Sequence, residues 1–200
     1  MHNPIWYALA AFFFGSLPFG HWLAQARGVD LRQEGSGNTG ATNVGRVLGK
    51  KWGILVFLLD LGKGWGAVAL AKNVGNLPPS WVMTAGVCAV LGHIFSPWLG
   101  FRGGKGVATS AGILIGLAPG VALGVGLIWL FVFQVSRTVS LASLLAATAF
   151  PPLVFWLVPS QAGFFWISVG MTLLVWFRHR DNLSRLLQGK ESRFTKLEKP

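Results

Sequence analysis

Residues 107–136 read VATSAGILIGLAPGVALGVGLIWLFVFQVS, a run without one acid, lysine or arginine. A helix needs about 20 apolar residues to cross a bilayer, so this run is too long for a single span. Pro119-Gly120 interrupts it, and an interior proline deletes a helix hydrogen bond and clashes with the preceding turn. The sequence therefore predicts two helices, 107–117 and 121–136, the first unusually short. This reading decides the topology, because it sets the side of the membrane on which everything downstream lies.

The other apolar stretches are simpler. Residues 4–26 and 78–97 carry no formal charge, and 52–71 carries only Asp60 and Lys63. Residues 138–177 again exceed one span and divide around Pro159–Gly163 into 139–158 and 162–178. The result is an all-α polytopic integral membrane protein with seven transmembrane helices, one domain over residues 1–200. Charge placement tests that count. With the N-terminus outside, 15 of the 17 Lys and Arg residues fall in inner loops or the tail, leaving Lys72 outside and Lys63 within a span. That is a strong positive-inside bias. A single span over 107–136 would put the basic tail RHRDNLSRLLQGKESR outside, against the rule. Seven spans, with a cytoplasmic C-terminus, agree with the charges.

Composition excludes several classes. Charged residues make up 12% of the chain and hydrophobic ones 52%, too little polar surface for a soluble fold. The net charge of +11 calls for an anionic partner, but the cations lie between apolar segments, so no nucleic acid is expected. The lone cysteine, Cys88, excludes a disulfide framework. The first span has no basic residues before it and does not read as a cleaved leader. In the tail, Leu183, Leu186 and Leu187 recur at helical spacing among cations, which predicts a short amphipathic helix on the inner surface.

Two inner loops carry the chemistry. The first is GSGNTGATNVGR, Gly35 to Arg46; the second is GHIFSPWLGFRGGKG, Gly92 to Gly106. Glycines let backbone N–H groups approach an anion, and each loop leads into a span whose helix N-terminus carries partial positive charge. Anion binding is expected of Ser36, Arg46 and Lys105, whereas Arg27, Arg32, Lys50 and Lys51 serve topology. Two nucleotide motifs fail. Gly35-x-Gly37-x-x-Gly40 matches the dinucleotide fingerprint but lacks its βαβ setting. Gly100 to Gly106 is one residue too short for a P-loop and lacks the metal-binding hydroxyl.

GSGNTGATNVGR, GHIFSPWLGFRGGKGVATSAG and FRHRDNLSRLLQGKE resemble three signatures of the bacterial acyl-phosphate-dependent glycerol-3-phosphate acyltransferases, the PlsY family. The resemblance spans nearly the whole chain in order, spacing and inner-side placement. It implies acyl transfer from a long-chain acyl phosphate to the sn-1 hydroxyl of glycerol 3-phosphate, the first acylation of bacterial phospholipid synthesis, at the cytoplasmic face of the inner membrane. It assigns Ser36, Arg46 and Lys105 to the phosphate of glycerol 3-phosphate, with Gly37, Arg102, Gly103 and Gly104 beside them. Asn38, Thr42 and Asn43 either orient the glycerol or shape the loop. Ser140 and Ser143 are expected to contact the acyl phosphate, and His179 and Asn182, one turn apart at the end of the last span, to belong to the substrate site.

The residues suit that reaction without a covalent step. Cys88 has no catalytic partner, no Gly-x-Ser-x-Gly elbow exists, and neither His93 nor His179 heads a His-x4-Asp pattern. An acyl phosphate is already activated, so positioning and charge neutralisation suffice, with Lys105, Asn182, His179 and Arg46 as the catalytic groups. His93 is expected to hold the second loop, with a base role as the alternative. Asp60 and Lys63, one turn apart, neutralise each other or brace the loops. No cofactor, metal or protein partner is expected, and the chain reads as a monomer. A transporter of phosphate or a phosphorylated solute is the principal alternative, disfavoured because transporter sites lie near the midplane. A CDP-alcohol phosphotransferase needs clustered acids, which six scattered Asp and Glu do not supply.

Overall fold

The computed structural model describes residues 3–194, whose regular elements are all helices, with no strand among them. Lys196 and Lys199, counted above among the inner cations, lie outside the described residues. The chain forms two compact units that divide between Ala118 and Pro119.

The first unit contains α1 (Pro4–Gly15), α2 (Phe19–Gln25), α3 (Ala41–Val47), α4 (Lys50–Ala69, running into a π-helical turn at Leu70–Val74), α5 (Pro79–Ile94) and α6 (Val107–Leu117). A 3-10 turn, Pro97–Leu99, follows α5. The second unit contains α7 (Pro119–Ser136), α8 (Val139–Leu157), α9 (Ala162–Arg178) and α10 (Arg180–Leu187). Among the described residues, four helical segments are long and apolar enough to cross a membrane: 50–74, 79–99, 119–136 and 139–157. The chain is thus an all-helical, multi-pass membrane protein. Apolar side chains stay exposed along these helices, as Phe131 and Val135 do on α7 at 70% and 72%. Such surfaces belong against lipid.

The decisive break is present. Helix α6 stops at Leu117, Ala118 leaves helical geometry, and Pro119 opens α7 in the first turn, where its missing N–H has no partner to lose. The expected start at 121 moves to 119 for that reason. The break after Leu157 and the restart at Ala162 fall where Pro159 placed them.

The first expected span is corrected. Residues 4–26 are not one helix: Ser16, Leu17 and Pro18 separate α1 from α2. A carbonyl released inside a membrane protein must find a protein donor. Here Ser96 Oγ donates to the Ser16 carbonyl at 2.7 Å and Lys63 Nζ to the Leu17 carbonyl at 3.0 Å. The break therefore has a purpose in packing, because it docks α4 and the segment after α5 onto the end of α1. Helix α8 solves the same problem differently. Pro151 and Pro152 sit in its interior, where they supply no N–H to the preceding turn. Thr172 Oγ1 on α9 donates to the Ala147 carbonyl at 2.7 Å, replacing one missing bond.

Within the first unit α1 packs on α5 and α4 on α6. The α4–α6 crossing relies on Gly64 and Gly112. A Cβ on either would overlap backbone atoms of the facing helix, at Thr109 and Leu61 respectively. Close backbone approach through small residues is the usual basis of helix association in lipid.

Candidate active site

The first unit presents both glycine-rich loops. In the first, Gly35 and Gly37 adopt left-handed φ of 62° and 69°, which turns the chain sharply before α3. Asn43 organises the turn from within. Its Oδ1 accepts from the Ser36 N–H at 2.8 Å, and its Nδ2 donates to the Leu31 and Glu34 carbonyls at 3.3 and 3.0 Å. Only 1% of Asn43 is exposed. Of its two expected roles, the structure supports shaping the loop. Asn38 acts similarly, its Oδ1 accepting from the Gly40 N–H at 2.8 Å. Ser36 is exposed, held by its backbone on the Asn43 amide, and Arg46 stands half-exposed in the last turn of α3. The segment read as open loop to residue 46 is therefore helical from Ala41, with Thr42 half-buried on that helix.

The second loop folds back onto the end of α5. The Gly103 N–H donates to the Ile94 carbonyl at 2.9 Å, and the Gly104 N–H to the His93 carbonyl at 3.2 Å. These N–H groups were expected to face the anion; instead they satisfy the carbonyls at the end of α5. The two glycines let the loop lie flat against that helix, since a Cβ on Gly103 would overlap the His93 carbonyl. Gly106, at φ 81°, caps α6. Lys105 is thus half-buried, between glycines, one residue before the cap of a helix. Arg102 is exposed.

Arg32 was read as a topological charge, and the structure corrects this. Its Nη2 donates to the Leu99 carbonyl at 2.7 Å, tying the segment just before the first loop to the 3-10 turn of the second. No local pattern signals a contact between residues so distant in sequence. Arg27 lies 3.5 Å over the Trp52 ring, a cation–π contact.

In the second unit, Ser140, Ser143, His179 and Asn182 are all buried, at 3–6% exposure. His179 Nδ1 lies 2.8 Å from the Val175 carbonyl, which only accepts, so that nitrogen carries the proton. Ser143 donates to the Val139 carbonyl at 2.8 Å and receives Trp129 Nε1 at 3.2 Å. Ser140 and Asn182 meet on a residue that sequence reasoning missed. Glu191 Oε1 accepts from Ser140 Oγ at 2.8 Å and from Asn182 Nδ2 at 2.6 Å, while Oε2 accepts from Arg185 Nε at 2.7 Å. Its side chain is 4% exposed. The available signal was Asn182 and Arg185 one turn apart on the amphipathic helix α10, a face that needs an anion.

Burial opposes ionisation of Glu191, but hydrogen bonds from Arg185, Asn182 and Ser140 and the charge of Arg185 outweigh it, holding the carboxyl below its ordinary value. A depressed carboxylate pKa stabilises the fold fully above the unfolded value, and that stability is lost as pH falls through the folded one. Glu191→Gln is therefore expected to lower the thermal midpoint most at neutral pH. The difference from wild type should shrink as pH drops below the usual glutamate range. A pH-independent difference would show that the carboxylate charge is immaterial.

Comparison with known proteins finds relatives over nearly the whole chain. The family profile described as glycerol-3-phosphate acyltransferase matches residues 5–189. A glycerol-3-phosphate acyltransferase of Aquifex aeolicus (strain VF5) is 46% identical over 195 residues, 96% of this chain and all of that protein. One from Pseudomonas paraeruginosa (strain DSM 24068 / PA7) is 44% identical over 190 residues, 94% of this chain and 97% of its own. The crystal structure of PlsY, described as an integral membrane glycerol 3-phosphate acyltransferase in its glycerol 3-phosphate form, is 40% identical with a TM-score of 0.91. It covers 98% of both chains. Its lysophosphatidic acid form gives a TM-score of 0.86 over the same shares. With a profile match over residues 5–189 and relatives up to 46% identical over nearly its whole length, the chain belongs to the glycerol-3-phosphate acyltransferase family.

Proposed function

We propose that this glycerol-3-phosphate acyltransferase takes its acyl group from acyl phosphate and delivers it to the sn-1 hydroxyl, releasing 1-acylglycerol 3-phosphate and inorganic phosphate. The observation that carries this reading is Lys105, set between glycines on a loop pinned to α5 and opening α6. A compact ammonium beside a helix N-terminus suits a phosphate dianion. Ser36, Arg46 and Lys105 hold the phosphate of glycerol 3-phosphate, with Gly37, Asn38, Thr42, Asn43, Arg102, Gly103 and Gly104 shaping the loops around it. Ser140, Ser143, His179 and Asn182 serve the acyl phosphate.

The sn-1 oxygen bonds to the acyl carbon as that carbon's bond to the phosphate oxygen breaks. The hydroxyl proton leaves with the departing phosphate. Lys105, Arg46, His179 and Asn182 steady the developing charge, the usual source of the largest catalytic contribution. No residue need carry the acyl group. Seven spans, an outer N-terminus, both loops at the cytoplasmic face of a bacterial inner membrane, and a monomeric state complete the reading. The placement of 15 of 17 cations supports the sidedness.

The test is a donor panel. Purified protein with glycerol 3-phosphate is offered palmitoyl phosphate, palmitoyl-CoA or palmitoyl carrier protein, and lysophosphatidate and phosphate are followed. Product is expected from palmitoyl phosphate alone, in equal yield with phosphate and with no acyl-protein trapped on acid quenching. Product from the thioesters, or a trapped acyl-protein, would overturn the donor or the direct attack respectively.

A further inference from the structure

A buried charged cluster lies beneath the second loop. Asp60 and Lys63 on α4 pair at 2.9 Å, their side chains 5% and 1% exposed. Lys63 also donates to the Leu17 carbonyl at the α1–α2 break. His93 Nδ1 stands 3.7 Å from Asp60 Oδ1. The opposite edge of that imidazole abuts the loop, because a Cβ on Gly104 would overlap His93 Nε2. The Gly104 N–H donates to the His93 carbonyl as well. One residue thus supports Gly104 through both its ring and its backbone, and Asp60 faces the other edge of that ring. The cluster borders a small recess whose wall includes Thr39 of the first loop and Gly104 of the second. Packing alone does not explain such a group, since buried ion pairs stabilise no better than apolar residues of similar volume.

We infer that Asp60, acting through His93, is a positioning residue for glycerol 3-phosphate: it fixes the ring under Gly104 and so the height at which Lys105 meets the phosphate. This rests on the reading that the Lys105 loop holds that phosphate. Second-layer groups that orient a binding side chain govern affinity and rate without touching substrate.

Asp60→Asn/Lys63→Gln removes both buried charges together while keeping hydrogen-bonding groups, so no lone charge is left in the core. His93→Asn leaves the ion pair intact and deletes the ring edge beneath Gly104. In both, the KM for glycerol 3-phosphate is expected to rise about tenfold, with the KM for acyl phosphate within twofold of wild type. Calorimetric affinity for glycerol 3-phosphate should fall in parallel. Equal rises in both KM values, or an unchanged glycerol 3-phosphate KM in folded His93→Asn, would overturn the inference. If the double variant does not fold, His93→Asn decides alone. Lys105→Ala separates the two layers. Weakened binding there, with normal binding in the Asp60 and His93 variants, sinks this inference only. Normal binding in Lys105→Ala sinks the phosphate-loop reading and this inference with it.

Discussion

Lys105→Ala is expected to lower kcat/KM for glycerol 3-phosphate by about a thousandfold while leaving the protein folded. The size follows from preorganisation. The chain on either side of Lys105 is fixed, by the Gly103 and Gly104 bonds to the end of α5 and by the left-handed Gly106 that caps α6. On the proposed reading, an ammonium carried on this fixed backbone would meet the phosphate with little reorganisation, so its loss would be felt in the transition state as well as in binding. The neighbouring Arg102 cannot substitute, being exposed on a loop whose course is already set. Lys105→Arg should recover only part of the activity, because a planar fork does not occupy the place of a compact point charge. Steady-state kinetics in both substrates, with the thermal midpoint as a fold control, provide the check. A loss below tenfold would mean that Lys105 serves only the positive-inside bias.

Much of this was readable from the chain. Pro119 and Pro159 marked helix breaks because proline acts locally, through its own missing N–H. The pairing of Asp60 with Lys63 was likewise a matter of spacing on one helix, and it forms at 2.9 Å. What the sequence hid was long-range. Pro18 breaks the first span, which reads as continuous because it carries no acid, lysine or arginine; the donors that permit the break, Lys63 and Ser96, lie 46 and 80 positions from their acceptors. Arg32 on Leu99 and Glu191 on Ser140 belong to the same class, 67 and 51 positions apart. Pro151 and Pro152 pass unbroken through α8 for a related reason, since Thr172 on the next helix supplies a donor. Among the candidate site residues, the sequence offers side-chain chemistry but not backbone direction. The glycines of the second loop are expected to turn their N–H groups toward an anion, but those of Gly103 and Gly104 turn toward α5.

That direction gives the second large expectation. Gly104→Ala should reduce kcat/KM for glycerol 3-phosphate about a hundredfold, mostly through KM. Gly104 has no left-handed φ to lose, so alanine fits its backbone and the effect is steric. The added Cβ overlaps the Nε2 edge of His93. Asp60, itself held by Lys63, lies 3.7 Å beyond the ring's other edge and limits its retreat. The loop must move instead, and it carries Lys105 with it. Gly100→Ala is the informative contrast. Gly100 sits at φ 60° with open space where its Cβ would go, so that change strains the backbone without displacing the loop. It should cost stability, about 1 kcal/mol, and leave KM nearly unchanged. Gly104→Ala with a near-normal thermal midpoint and weak glycerol 3-phosphate binding, beside Gly100→Ala with the reverse pattern, would locate the constraint in the contact between ring and loop. If the two variants behave alike, the glycines of this segment matter only as flexible links.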